Sequence, residues 1–180
     1  IVSCLRLPAH AQAVEQYEQR RPKRRADQRR PPLRPPADRL AEHLAPISAT
    51  AVVHHADIGA TGAWGVPMRP SEYAKFPGYA LSVWDRPDFV QPDLVLIDGR
   101  FRVACALRTI AEARKRNAKV RILVDDYHNP EDPRPYYEAI EQYAPLVRLA
   151  GRMAVFEIGP EVPGETPTED VVRAFIGDCR

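Results

Sequence analysis

The chain has 180 residues, 44% of them apolar, with 26 Lys/Arg against 24 Asp/Glu and a formal net charge of +2. That length suits one domain, or one domain with an appendage, and near-neutrality gives no reason to expect a polyanionic partner. Three cysteines (Cys4, Cys105 and Cys179), far apart and without a CxxC pair, argue against a disulfide framework or a cysteine zinc site and fit a reducing, cytoplasmic setting, and no apolar run approaches a membrane span.

The first residues, "IVSC", read as the end of a strand. There is no initiator methionine and no basic-then-apolar leader, so the chain is expected to start inside a larger fold, truncated at its amino end. Residues 8–20 suggest a short helix. Residues 20–36, "RRPKRRADQRRPPLRPP", hold eight Arg/Lys, five Pro and one acid, with Leu33 the only large apolar side chain. Charge repulsion and missing backbone donors exclude a core helix or central strand there. A nucleic-acid arm would interleave aromatics with the arginines. None do, so a solvated linker is the reading and nucleic acid is not expected as a partner. Residues 37–47 suggest a second helix, with Asp38 near its start and Pro46 at its end. Residues 1–46 are thus expected to be a basic, proline-rich, partly disordered segment ahead of a folded domain at 47–180.

From residue 50 the texture changes. "TAVVHHADIG" (50–59) reads as a buried strand, and residues 60–84, with glycine and proline followed by aromatics, as an irregular loop. "DLVLID" (93–98) predicts a second buried strand, expected to be central and covered on both faces, with a turn at Gly99. Residues 102–116 place Val103, Cys105, Ala106, Ile110 and Ala113 on one side of a helix with a basic last turn. "KVRILVDDY" (119–127) predicts a third strand, and the prolines ahead of 133–146 suit the first turn of another helix. Residues 146–158, with Gly151 at the centre, predict a hairpin, and Thr168 predicts the cap of a closing helix.

Strands alternating with helices, apolar on both faces, mean an α/β domain with a parallel sheet, whose ligands bind beyond the carboxyl ends of the strands. Asp57, Asp98 and the pair Asp125-Asp126 all fall at such ends. Any one of them alone could simply cap a helix; together they suggest a convergent site. His54 and His55, inside a predicted strand, read as structural. His128 sits in a loop at the ligand edge, where a histidine can titrate near neutral pH. Arg100 and Arg102 are either a helix start or a fork for an anionic substrate group. There is no nucleophile elbow, Walker glycine loop or His-Glu-x-x-His helix.

"VVHHADIG", "PDLVLIDGRFRVACAL", "RILVDDYHNP" and "AGRMAVFEI", in this order, resemble the carboxyl-terminal two thirds of a class I S-adenosylmethionine-dependent methyltransferase. They are most similar to an uncharacterised bacterial branch with an "IDGRFR" signature. The resemblance covers roughly residues 50–158. It implies a Rossmann-like parallel sheet closed by a carboxyl-terminal antiparallel hairpin and incomplete at its amino end. It also implies S-adenosylmethionine as cofactor, with Asp57 and Ile58 at the adenine and Asp98 facing the reactive end of the cofactor and the substrate. The separation of Asp98 from Asp125-Asp126 is similar to that in divalent-metal O-methyltransferases, so a divalent metal enters as an alternative. The glycine-rich turn and the ribose-binding acid of the family are not visible in this chain.

The expectation is therefore a methyltransferase-like protein that transfers a methyl group to a small hydroxylated or sugar-like molecule. Asp98, Asp125, Asp126 and His128 are its catalytic candidates, Arg100 and Arg102 bind substrate, and no membrane is involved. Two rivals stand beside it: a metal-dependent nucleotide-sugar transferase using the same acids, and a degenerate, non-catalytic fragment.

Overall fold

A computed structural model describes residues 52–177 and the backbone of residues 2–5. The helices expected at 8–20 and 37–47 and the basic stretch 20–36 lie outside the described residues. Strands β1 (Val2–Leu5), β2 (Leu94–Ile97), β3 (Val120–Val124), β4 (Leu146–Ala150) and β5 (Met153–Ile158) form one sheet in the order β1-β2-β3-β5-β4. The α-helices among the described residues are α1 (Pro77–Leu81), α2 (Arg102–Lys115) and α3 (Glu169–Ala174). β2 and β3 are parallel and joined through α2, while β5 and β4 close the far edge as an antiparallel hairpin. The architecture is thus the expected α/β sheet with a carboxyl-terminal antiparallel hairpin.

One expected strand is missing. Residues 52–58 form none, because the place beside β2 belongs to β1, which pairs antiparallel with it from Val2↔Ile97 to Leu5↔Leu94. A β-branched run becomes a strand only where an edge is free to pair with it. Val52 is instead exposed, and His54 is anchored to the neighbouring loop by a 2.8 Å bond between its Nε2 and the Ser82 hydroxyl. The expected row of three parallel strands reduces to the β2/β3 pair among the described residues. β1 also draws residues of the predicted amino-terminal segment into the sheet.

α2 forms as predicted. Val103, Ala104, Ala106, Leu107, Ile110 and Ala113 are buried in the main core against Val95 and Ile97 of β2 and Ile122 and Val124 of β3. Each of the larger side chains contributes roughly 1.5–3 kcal/mol by leaving water. The helix ends where Asn117 turns left-handed (φ 50°) and the Ala118 amide reaches back to the Ala113 carbonyl at 2.8 Å, a glycine-type stop made by asparagine. β2 buries Val95 and Ile97 but leaves Leu94 and Leu96 half-buried against Leu123, Met153 and Val155, so it is sealed on one face rather than two.

The helix expected at 133–146 is a 3-10 helix over Pro135–Gln142, whose buried Tyr137 and Ile140 are three residues apart, one turn of that geometry. The loop expected at 60–84 is more ordered than its composition suggests. It folds into α1 and short 3-10 turns because its aromatics pack inward: Phe76 and Tyr79 meet the buried Phe101 ring at 5.6 Å and 5.5 Å. Thr168 caps α3 as expected, accepting from the Val171 amide.

Candidate functional site

The parallel register aligns Ile97 with Val124, so the next residues, Asp98 and Asp125, emerge side by side, and the Asp125 amide donates to the Ile97 carbonyl at 3.0 Å. Their carboxyl groups are near enough to act on each other electrostatically. Asp125 is buried, while the Asp98 side chain keeps 40% of its exposure. Burial first, and then the neighbouring Asp125 charge, push the Asp98 carboxyl above its ordinary range, with Arg102 pulling the other way.

Arg102, the first residue of α2, lies across both strand ends and is only 4% exposed. Its Nε donates to the Gly99 carbonyl at 3.0 Å, Nη1 to the Asp125 carbonyl at 2.5 Å and Nη2 to Asp98 Oδ1 at 3.2 Å, with Nη1 also 3.2 Å from Asp126 Oδ2. These contacts engage four of the five guanidinium N–H donors, so Arg102 ties the two strand ends together. Asp126 also joins this cluster. It sits left-handed (φ 57°) and is paired to Arg102 and to Arg152.

The left-handed step before α2 is taken by Phe101 (φ 53°). Bulky residues in that region are rare and strained. Here the buried Phe101 ring, packed on Phe76 and Tyr79, over-determines the turn, and the Arg100 amide is held by the Tyr79 hydroxyl at 3.3 Å.

His128 is exposed, and its amide donates to the Arg152 carbonyl at 3.1 Å. Arg152 is a contributor the sequence reading missed. It lies in the β4–β5 turn, and because β5 runs antiparallel to β3 with Val124 opposite Ala154, that turn arrives at the ligand edge. A hairpin centred on Gly151 and paired next to β3 was the signal that could have found it.

Asp57 and Ile58 are not brought to this cluster. The Asp57 carboxylate accepts from the Gly59 amide at 2.8 Å and pairs with Lys75 at 3.2 Å, and these bonds, the Gly59 amide first, hold it below the usual carboxylate range. Ile58 is a core residue. Among the described residues no group of three or more His, Cys, Asp or Glu is placed to hold a metal ion, and no helix is long and apolar enough to cross a membrane.

The sequence matches no protein-family profile and no curated protein. The fold is similar to the crystal structure of a methyltransferase-like protein from Silicibacter pomeroyi, with 30% identity and a TM-score of 0.60, over 78% of this chain and 71% of that one.

Proposed function

The chain belongs to the methyltransferase-like family of that Silicibacter pomeroyi protein, and on that premise we propose that it methylates a hydroxyl group of a small hydroxylated or sugar-like acceptor, with Asp98 as the base. The observation that carries this reading is the placement of Asp98 and Asp125 side by side at the ends of neighbouring parallel strands. A carboxylate placed beside another binds a proton more readily than an isolated one. The half-exposed Asp98 is the member a solute can reach, and its raised pKa makes it the stronger base of ordinary carboxylates.

S-adenosylmethionine, when bound, supplies a methyl group on a cationic sulfonium, the C–S electron pair staying with sulfur as oxygen takes the methyl. The acid pair fits the charge of that sulfonium. Asp57 and Ile58 offer less to the adenine, since one carboxylate is already engaged and the other side chain lies in the core. An Asp98 carboxylate oxygen receives the hydroxyl proton. Arg102 keeps Asp98 and the Asp125 backbone in place as the charge of Asp98 changes. Arg100 and Arg152 remain as candidates for an anionic group on the acceptor, with His128 beside them at the rim.

Calorimetric titration of the full chain with S-adenosylhomocysteine, and separately with UDP-glucose plus manganese, tests this reading. Saturable heat with the first and none with the second is expected. The reverse would mean a metal-dependent sugar transferase, and binding of neither would mean a non-catalytic domain.

A further inference from the structure

A 3-10 helix has three residues per turn, so its side chains stand in rows three residues apart. In Pro135–Gln142 one row, Tyr137 and Ile140, is buried in the core. The other two rows, Pro135-Glu138-Glu141 and Tyr136-Ala139-Gln142, line an open pocket of about 790 Å³ together with Phe175, the residue that ends α3. Pockets of this size hold small organic ligands.

The lining is negative and unbalanced. The row geometry sets Glu138 and Glu141 one above the other, where like charges repel, and no Lys, Arg or His is among the lining residues. Glu138 has no ion pair among the described residues. Glu141 accepts from the Tyr127 hydroxyl at 2.5 Å. Burial first, and then this bond and the two glutamate charges, hold that hydroxyl well above its ordinary range. It stays a neutral donor and leaves the charge of Glu141 uncancelled.

The remaining walls are aromatic and apolar. Tyr136 is half-buried and set edge-to-face on Tyr137, with ring centroids 4.9 Å apart and planes at 88°, and Phe175 is half-buried against the main core. Packing therefore fixes both rings at the pocket. Aromatic rings beside carboxylates attract a large, weakly hydrated cation. A hard divalent ion would need about six oxygen ligands, which two glutamates do not supply.

We infer that this pocket binds a small quaternary ammonium compound, its cationic head between Glu138, Glu141 and the rings of Tyr136 and Phe175. Such a head has no N–H to satisfy and presents methyl groups to the rings and to Ala139, while its charge offsets the repulsion of the two glutamates. A neutral ligand of the same shape would leave that repulsion in place. The inference stands apart from the methyl-transfer reading, because it uses none of the residues at the Asp98–Asp125 end of the sheet.

Calorimetric titration of the full chain with choline tests this, with dimethylbutanol, its uncharged carbon isostere, and magnesium as comparison arms. Choline should bind saturably, and the alcohol and magnesium should give no saturable heat. Glu138→Gln should weaken choline about threefold by removing one charge. Phe175→Leu should weaken it about threefold by replacing a ring with an alkyl group of similar bulk. Glu131→Gln, which alters an exposed acid outside the pocket, should leave the affinity unchanged. No choline binding, equal binding of the alcohol or of magnesium, or an unchanged affinity in Glu138→Gln or Phe175→Leu would each overturn the inference. Glu138 is exposed, so Glu138→Gln should melt with wild type and report binding alone. Tyr136→Leu carries the aromatic arm if Phe175→Leu fails to fold. The titration contains no S-adenosylmethionine, so its failure leaves the methyl-transfer reading standing, and a protein that binds choline but not S-adenosylhomocysteine refutes that reading alone.

Discussion

Asp98 and Asp125 lie next to each other at the ends of neighbouring parallel strands, and the Asp125 charge helps to raise the Asp98 carboxyl above its ordinary range. The geometry follows from register alone: a strand-helix-strand unit that pairs Ile97 with Val124 must deliver the following residues to one place. Helix α2 then adds Arg102, whose side chain reaches back over both ends. An acid pair of this kind is held together only while its clamp is intact.

Removing that clamp should therefore be costly. Arg102→Ala leaves Asp126 and the Gly99 and Asp125 carbonyls without their shared partner, a loss of about 3–5 kcal/mol in chemical denaturation. Arg102→Lys should restore less than half of it, since an ammonium is a point charge and cannot span acceptors on two loops. Equal stability of the lysine variant and wild type would show the fork to be dispensable.

A second arginine organises the far side. Arg114 donates to the Tyr143 carbonyl at 2.9 Å and the Val162 carbonyl at 3.1 Å, and Gly164 (φ 146°) packs so closely that a Cβ would lie 2.5 Å from Arg114 Nη2 and 3.0 Å from the Tyr143 carbonyl. Gly164→Ala should destabilise by about 1–3 kcal/mol. In an Arg114→Ala background the same change should cost less, because half of the collision is gone. Strict additivity in the double-mutant cycle would contradict this packing.

Burial first, and then the charge of Arg86, hold the His54 imidazole below its ordinary value of 6.5. With the folded value depressed, the unfolded chain takes up the proton more readily, so stability is full above 6.5 and declines as pH falls through the folded value. The drop in Tm between about pH 7.5 and pH 5.5 should shrink in His54→Gln, which cannot titrate. An unchanged drop would assign the pH dependence to other groups.

The apolar runs ending in acids made β2, β3 and the Asp98–Asp125 pair legible from sequence, because burial on a sheet leaves a continuous apolar signature and the strand ends follow from it. The run at 50–59 carried the same signature without becoming a strand, since whether an edge is free beside β2 depends on β1, more than forty residues earlier. Arg102 illustrates a different limit. An arginine at a helix start reads as a solvent-facing anion fork, and only the three-dimensional approach of two loops shows that most of its donors face the protein. Arg152 was hidden for the converse reason, its place set by which strand the hairpin pairs with.

The central claim is that Asp98 is the base. Its folded pKa lies above the ordinary 3.8, so its charge costs stability as pH rises through the folded value, and an uncharged isostere should relieve that cost at neutral pH. The most direct measurement is label transfer from methyl-labelled S-adenosylmethionine to a panel of hydroxylated acceptors by wild type and Asp98→Asn, with Tm recorded on the same samples. The account predicts a fall in transfer of about 10²–10⁴-fold with Tm equal to or above wild type. Transfer within about threefold of wild type would contradict it, because removal of a true general base costs far more.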